Sequence, residues 1–292
     1  MSSVPQANYL LIDGVLRANA LANLYALAEP VEIEPLYQGT RWRELKDLGP
    51  ILVATQGSSD LIQATWQSAA QQADASLLYS PAPIIAVADH LRRFIAPSDV
   101  RGSKGLLRFA DPLVARHWLG SYQGAHRDAV LGPIQSWHLP QRSHSWALDQ
   151  PPEWCTFTRT AAPPQWVEGY AQLGEAQIHA LDQAARWRFM ERLHHRVERS
   201  HPQHLARLDK SQLSQWFDDR LDEGQAWGLC SERSLAIWVE CSLRWGDGFT
   251  NNPDAPYQRW LARTPDALKL APELRIQHMD NACLHLDVNK DV

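Results

Sequence analysis

Short apolar runs alternate with stretches of helical period through the first half of the chain, and helical period alone governs the second. Residues 8–13 (NYLLID) read as a strand, and 15–28 (VLRANALANLYALA) as a helix of strong formers closed by Pro30. The next strand, 31–37 (VEIEPLY), carries Pro35, which confines it to a sheet edge or a bend because proline has no N–H to give a ladder. Thr40 is placed to cap a helix that stops at Gly49 and Pro50, before the buried strand Ile51–Thr55. A helix over Ser58–Gln72, a strand over 75–80 (ASLLYS) and a helix over Ile84–Ile95 follow. Next come a strand at Leu106–Phe109, a helix opened by Asp111 and Pro112, and a last strand within 132–140 (GPIQSWHLP). This alternation predicts an α/β lobe over residues 1–139, with a mixed or mostly parallel sheet flanked by helices.

Residues 140–174 are punctuated by Pro and Trp. The prolines at 151–152 and 163–164 bracket a strand-like run, WCTFTRT, so this is a connector with room for one hairpin. Residues 175–292 read as an all-α lobe. Ile178, Leu181, Ala185, Phe189, Leu193 and Val197 trace one stripe of a long helix ended by Pro202. A second helix runs from Ser211 to Leu221. A third begins at Ser231 and is apolar almost all round, and a final one spans Tyr257–Leu270.

Composition narrows the class. Apolar residues at 45% and charged residues at 21% are ordinary for a globular chain, and the thirteen tryptophans point to large buried contacts or to sticky surfaces. A net charge of −5 supplies no field for a phosphate backbone, so nucleic acid is not the expected partner. The four cysteines form no C-x-x-C pair, which fits a reducing cytoplasm. With no basic leader and no apolar run near the ~20 residues that span a bilayer, a cytoplasmic protein without membrane contact is expected.

No familiar catalytic pattern is present. RGSKG lacks the spacing of a phosphate-binding loop, and GSYQG has its serine in the wrong place for a nucleophile elbow. His194, His195, His201 and His204 gather near the end of the long helix, but without H-E-x-x-H, and Pro202 interrupts them, so they read as a solvated helix end. Asp89 and His90 are sequence neighbours, about 100° apart on a helix, and read as surface residues rather than as an acid/base pair. Asp218, Asp219, Asp222 and Glu223 lack the ligand spacing of a calcium loop and read as a solvated helix face. No catalytic residue, metal ligand or cofactor is assigned. In LLRFADP, Asp111 is a helix cap, Pro112 takes the first helical position, and Arg108 is placed to pair with Asp111 across the turn.

Four segments in register, YLLIDG at 9–14, PLYQGTRWRELKDLGPILV at 35–53, HLRRFI at 90–95 and LLRFADP at 106–112, resemble the bacterial domain of unknown function found in type VI secretion effector adaptor/chaperone proteins. The likeness covers Tyr9 to about Leu139, and the helical part with AWGLCSERSLAIWVECSLRWGDGF looks like the extension such adaptors carry. Ala110 stands where these proteins commonly place an aromatic. The resemblance implies structural motif roles for Asp13, Gly39, Gly49, Pro50, Arg108, Phe109, Asp111 and Pro112. It also implies a non-enzymatic function: binding a cognate toxic effector and helping to load it on the valine-glycine-repeat spike protein (VgrG). Trp227, Trp238 and Trp245 are then candidate partner anchors. Two other readings stand beside it. One is an α/β hydrolase or transferase with its site near Asp13, Arg108 and Asp111, which requires those groups to converge in an open pocket. The other is an immunity protein that binds a toxin.

Overall fold

The computed structural model describes residues 4–56, 59–147 and 153–288, with side chains through Cys283. Among these the chain forms β1 (Tyr9–Asp13), α1 (Ala20–Tyr25), β2 (Glu32–Pro35), β3 (Pro50–Ala54), α2 (Asp60–Gln67), α3 (Ala69–Gln72), β4 (Ala75–Tyr79), α4 (Ile84–Arg92), α5 (Pro112–Gly120), α6 (Gly124–Leu131), β5 (Ser136–Gln141) and β6 (Glu153–Thr158). Then follow α7 (Glu175–Ser200), α8 (Pro202–Leu205), α9 (Leu213–Ala226), α10 (Glu232–Trp245), α11 (Pro256–Arg263) and α12 (Pro272–Val288). Two compact units divide it: Met1–Ser143 with Pro151–Ala185, and His144–Gln150 with Arg186–Val292.

The first unit is built on a six-stranded sheet of order β2-β3-β1-β4-β5-β6, in which every pairing is antiparallel. The expectation of a mixed or mostly parallel sheet is therefore corrected. It rested on strand–helix alternation and on unbroken apolar runs, and both have another cause here. β3 and β4 each run antiparallel to β1, which lies between them, so the α2–α3 crossover joins two strands that are parallel but not neighbours. The runs are unbroken because both faces of the sheet are covered. Leu10, Ile12, Ile51, Val53, Ala75 and Leu77 pack one face against α1 and Ile62 of α2. Tyr9, Leu11, Leu52, Leu78, Trp137 and Leu139 pack the other against α4, α5 and α6. Pro35 lies in the edge strand, as its missing N–H required.

Other elements differ from the sequence reading. β6, drawn from the segment expected to be a connector, pairs along the whole of β5. Pro151 and Pro152 lie outside the described residues. Leu106–Phe109 is not a strand of the sheet: its backbone makes a single bond from the Leu107 N–H to the Ile95 carbonyl at 3.0 Å and turns at Phe109, with Leu107 and Phe109 buried in the core and Leu106 exposed. Its alternation comes from packing beneath helices, which reads like a strand in sequence. The helix expected at 15–28 is trimmed to Ala20–Tyr25, and the one after Thr40 is a short 3-10 turn at Arg43–Leu48.

The second unit is all helical, and its core joins Trp146, Phe189, Leu193, Val197, Phe217, Leu221, Trp238, Phe249, Tyr257, Ile276 and Met279. Ser231 caps α10 by accepting from the Ser234 N–H at 3.2 Å. Glu273, at the start of α12, accepts from the Ser231 N–H at 2.7 Å and from the Ser231 hydroxyl at 2.8 Å, tying the start of α12 to that of α10. Burial pushes its carboxyl up, but hydrogen bonds from Ser234, Cys230 and Ser231 outweigh this and hold it at about 2. The helix expected over Tyr257–Leu270 stops at Arg263, and α12, which the pattern did not announce, follows.

Candidate functional site

Three of the four family-like segments, 9–14, 35–53 and 106–112, meet at one corner of the sheet, where β1 ends beside the start of β3. Asp13 is 4% exposed, and its Oδ1 accepts from the N–H of Val15 at 2.9 Å and of Leu16 at 3.1 Å. An aspartate bonding the backbone two and three residues on holds the chain in a tight turn. Arg108 donates to the same carboxylate through Nε at 3.2 Å and Nη2 at 2.9 Å. The planar guanidinium thus fixes the 106–109 segment to the end of β1. Arg108 also lies 3.6 Å from Asp111, the partner expected from sequence, but Asp13 is the closer one. Asp111 accepts from the Leu113 N–H at 3.1 Å with Pro112 at the first helical position, so α5 starts as the sequence predicts.

Two glycines make the corner possible. A Cβ on Gly14 would fall 2.5 Å from the Asp47 carbonyl oxygen and 2.7 Å from that of Gly49. A Cβ on Gly49 would meet the Tyr37 ring at 2.6 Å. The Gly14 N–H donates to the Gly49 carbonyl at 3.1 Å, and the Leu36 N–H to the Pro50 carbonyl at 2.8 Å, locking three loops together. Gly39 turns at φ 76°, a backbone that favours glycine. Burial raises the pKa of the Tyr37 phenol, and the negative Asp13 raises it further.

This arrangement answers the catalytic question posed by the sequence. Asp13, Arg108 and Asp111 do converge, but on one another and on backbone N–H groups, with both carboxylates buried. A base or nucleophile must present lone pairs to a substrate, and these are engaged in holding loops. Asp13, Arg108 and Asp111 thus brace the loops of this corner.

The corner holds two apolar loops in the open. Val15 and Leu16 leave the Asp13 turn exposed, and Leu45 and Leu48 project from the 3-10 turn that rests on Gly14. Tyr25, at 70% the most exposed large apolar residue described, lines a shallow cavity with Leu21, Lys46 and Asp47. The sequence pattern singles out none of these aliphatic positions: it marks residues 40–49 only as a helix capped by Thr40 and stopped at Gly49 and Pro50.

Four of the thirteen tryptophans are buried and the other nine half-buried. Trp238 is buried and packs on Trp227 at 5.2 Å and on Phe249 at 4.9 Å between ring centroids. Trp227 is half-buried beneath Arg275, and Trp245 half-buried against Phe249. Trp238 belongs to the helical core, and Trp227 and Trp245 pack against its edge.

Two histidines are also not where the sequence put them. His90 is buried, and its Nε2–H donates to the Val130 carbonyl at 2.7 Å. Gly132 at φ 55° lies against the ring, where a Cβ would stand 2.3 Å away. Burial lowers the imidazole to about 4, the carbonyl bond opposing and Arg93 adding to the shift. Asp89 instead pairs with Arg92 at 2.8 Å on the surface. His194, expected at a solvated helix end, is 7% exposed, and burial lowers its pKa. His195 is exposed, and His201 and His204 form their own pair. The acidic group of α9 is engaged, with Asp218 and Asp222 on Arg186 at 2.7 and 2.8 Å and Glu223 on Arg220 at 2.7 Å.

A family model described as Domain of unknown function (DUF4123) matches residues 8–129, less than half of the chain. No curated protein and no solved structure matches the chain. The matched region contains the whole corner, from Asp13 through Gly49 to Pro112. Among the described residues no helix is long and apolar enough to cross a membrane.

Proposed function

We propose that this chain is an adaptor that binds a toxic effector of a type VI secretion system in the cytoplasm and promotes its loading on the VgrG spike protein. DUF4123 domains are associated with effector adaptors of that system. The observation that carries the reading is the use made of the family corner. Buried charge and two sterically required glycines are spent on holding Val15, Leu16, Leu45 and Leu48 in solvent. Exposed aliphatic side chains on well-fixed loops are what a protein-binding surface needs and what a small-molecule site does not. The chain has no catalytic part in this reading.

The test is co-expression of an adjacent effector gene and the spike gene with and without this chain. The proposal expects the effector to be soluble and exported only when the chain is present. Equal solubility and export without it defeat the proposal. Poisoning of the producing cell when the chain is removed would assign it instead to immunity.

A further inference from the structure

The second unit carries a feature that the adaptor reading neither needs nor explains. On α7, Glu191, His194, His195 and Glu198 fall in the order E-x-x-H-H-x-x-E. Positions three and four apart are neighbours on a helix, so Glu198 lies next to both His194 and His195, and the three form a triangle on one turn. One donor atom from each of His194, His195 and Glu198 can be chosen so that all lie within 4.8 Å of one another. Tetrahedral zinc with metal–ligand bonds of about 2.0–2.1 Å holds its donors roughly 3.3 Å apart. The remaining closure falls to His195 and Glu198, both exposed and able to rotate.

Two further observations point to a ligand. His194 is more than nine-tenths buried, yet its Nδ1 has no hydrogen-bond partner. A buried imidazole nitrogen left unsatisfied costs free energy unless something fills it. His195 lies between two carboxylates: Nε2 is 4.0 Å from Glu191 Oε2 and Nδ1 is 3.8 Å from Glu198 Oε2. A carboxylate behind one ring nitrogen that leaves the other for the metal is the usual outer-shell arrangement. Glu191 is itself held by the His144 ring at 2.9 Å and the Ser145 N–H at 2.9 Å. His194 and Glu198 also line a cavity of about 570 Å³ whose apolar wall includes Trp146, Leu205 and Leu213.

We infer that His194, His195 and Glu198 form a binding site for a single zinc-like divalent cation, with Glu191 as the outer-shell partner of His195 and the fourth coordination position open to the cavity. Two imidazoles and one carboxylate suit a borderline cation such as Zn²⁺ rather than Ca²⁺ or Mg²⁺, which take oxygen ligands. The inference stands apart from the adaptor reading and survives its failure.

The test is titration of the untagged full chain with Zn²⁺ against a chromophoric chelator, and with Co²⁺ followed by its d–d absorption. One equivalent should bind, with an intense tetrahedral cobalt spectrum. Because His194 packs on Trp146 and Phe217, the deciding variants are His195→Ala and Glu198→Gln, which lie outside the core. Each should weaken binding by more than the roughly 10–100-fold that follows loss of an outer-shell partner, with an unchanged unfolding midpoint. A His201→Ala/His204→Ala variant should bind as the parent does. No stoichiometric binding, a weak octahedral cobalt spectrum, or binding that survives both deciding variants overturns the inference.

Discussion

Replacing Asp13 tests whether the sheet corner is a brace or a reaction centre. In Asp13→Ala the Val15 and Leu16 N–H groups lose their acceptor and Arg108 loses two charge-assisted bonds. Breaking a fully buried ion pair costs about 3–5 kcal/mol. Arg108 keeps 35% of its side chain in water and can be rehydrated, which brings its share to about 2 kcal/mol. Val15 and Leu16 are exposed, so water replaces part of each lost backbone bond, leaving about 0.5 kcal/mol apiece. The total is about 3 kcal/mol. Asp13→Asn should cost less, because its carbonyl oxygen still serves the two backbone groups while its NH₂ faces the guanidinium. Urea unfolding of both variants, with hydrogen exchange at Val15 and Leu16, measures this. In a double-mutant cycle with Arg108→Ala the two losses should be strongly non-additive. A variant of parental stability and parental exchange rates that has lost all function would refute the argument and restore a catalytic role to Asp13.

Asp111→Ala should destabilise by about 1 kcal/mol through the lost cap of α5, read as a shift of the urea midpoint, and leave effector export intact wherever the protein remains folded. His90 is neutral when buried, with a folded pKa near 4 against an ordinary 6.5. The unfolded chain therefore binds the proton first, and stability present above pH 6.5 is lost as the pH falls from there towards 4. Denaturant midpoints across that range should show the slope, and His90→Gln should flatten it.

Much of the first unit was legible in the sequence because its signals are local. Asp111 and Pro112 announced a helix start, Pro35 an edge strand, and the runs 8–13, 51–55 and 75–80 three strands, which the structure contains within a residue at Tyr9–Asp13, Pro50–Ala54 and Ala75–Tyr79. Strand direction was not legible, because an apolar run records that both faces are covered and not which neighbour lies alongside. The Arg108–Asp13 pair spans ninety-five residues, and no local pattern reports such a distance. The family resemblance placed both residues in one motif set, and the hydrolase or transferase reading set them near one site, but neither paired them. The tryptophans were ambiguous for a physical reason: large amphipathic rings suit interfaces and cores alike, and in this chain four are buried and nine half-buried. Leu45 and Leu48 are exposed instead, and nothing in the reading of residues 40–49 as a capped helix marked them. His194 was missed likewise, since a histidine at a helix end carries no mark of the Trp146 ring that covers it at 4.7 Å.

The central claim, that the corner exists to present aliphatic loops to a protein partner, is tested most directly by Leu45→Asp/Leu48→Asp. Both residues are exposed, so the unfolding midpoint should not move. Burying a leucine at an interface contributes about 1.5–3 kcal/mol, so binding to the effector in calorimetry should weaken at least tenfold, and its export should fall with it. The control Leu268→Asp, an exposed leucine of the second unit, should change neither. Parental affinity and export in the double variant would contradict the account.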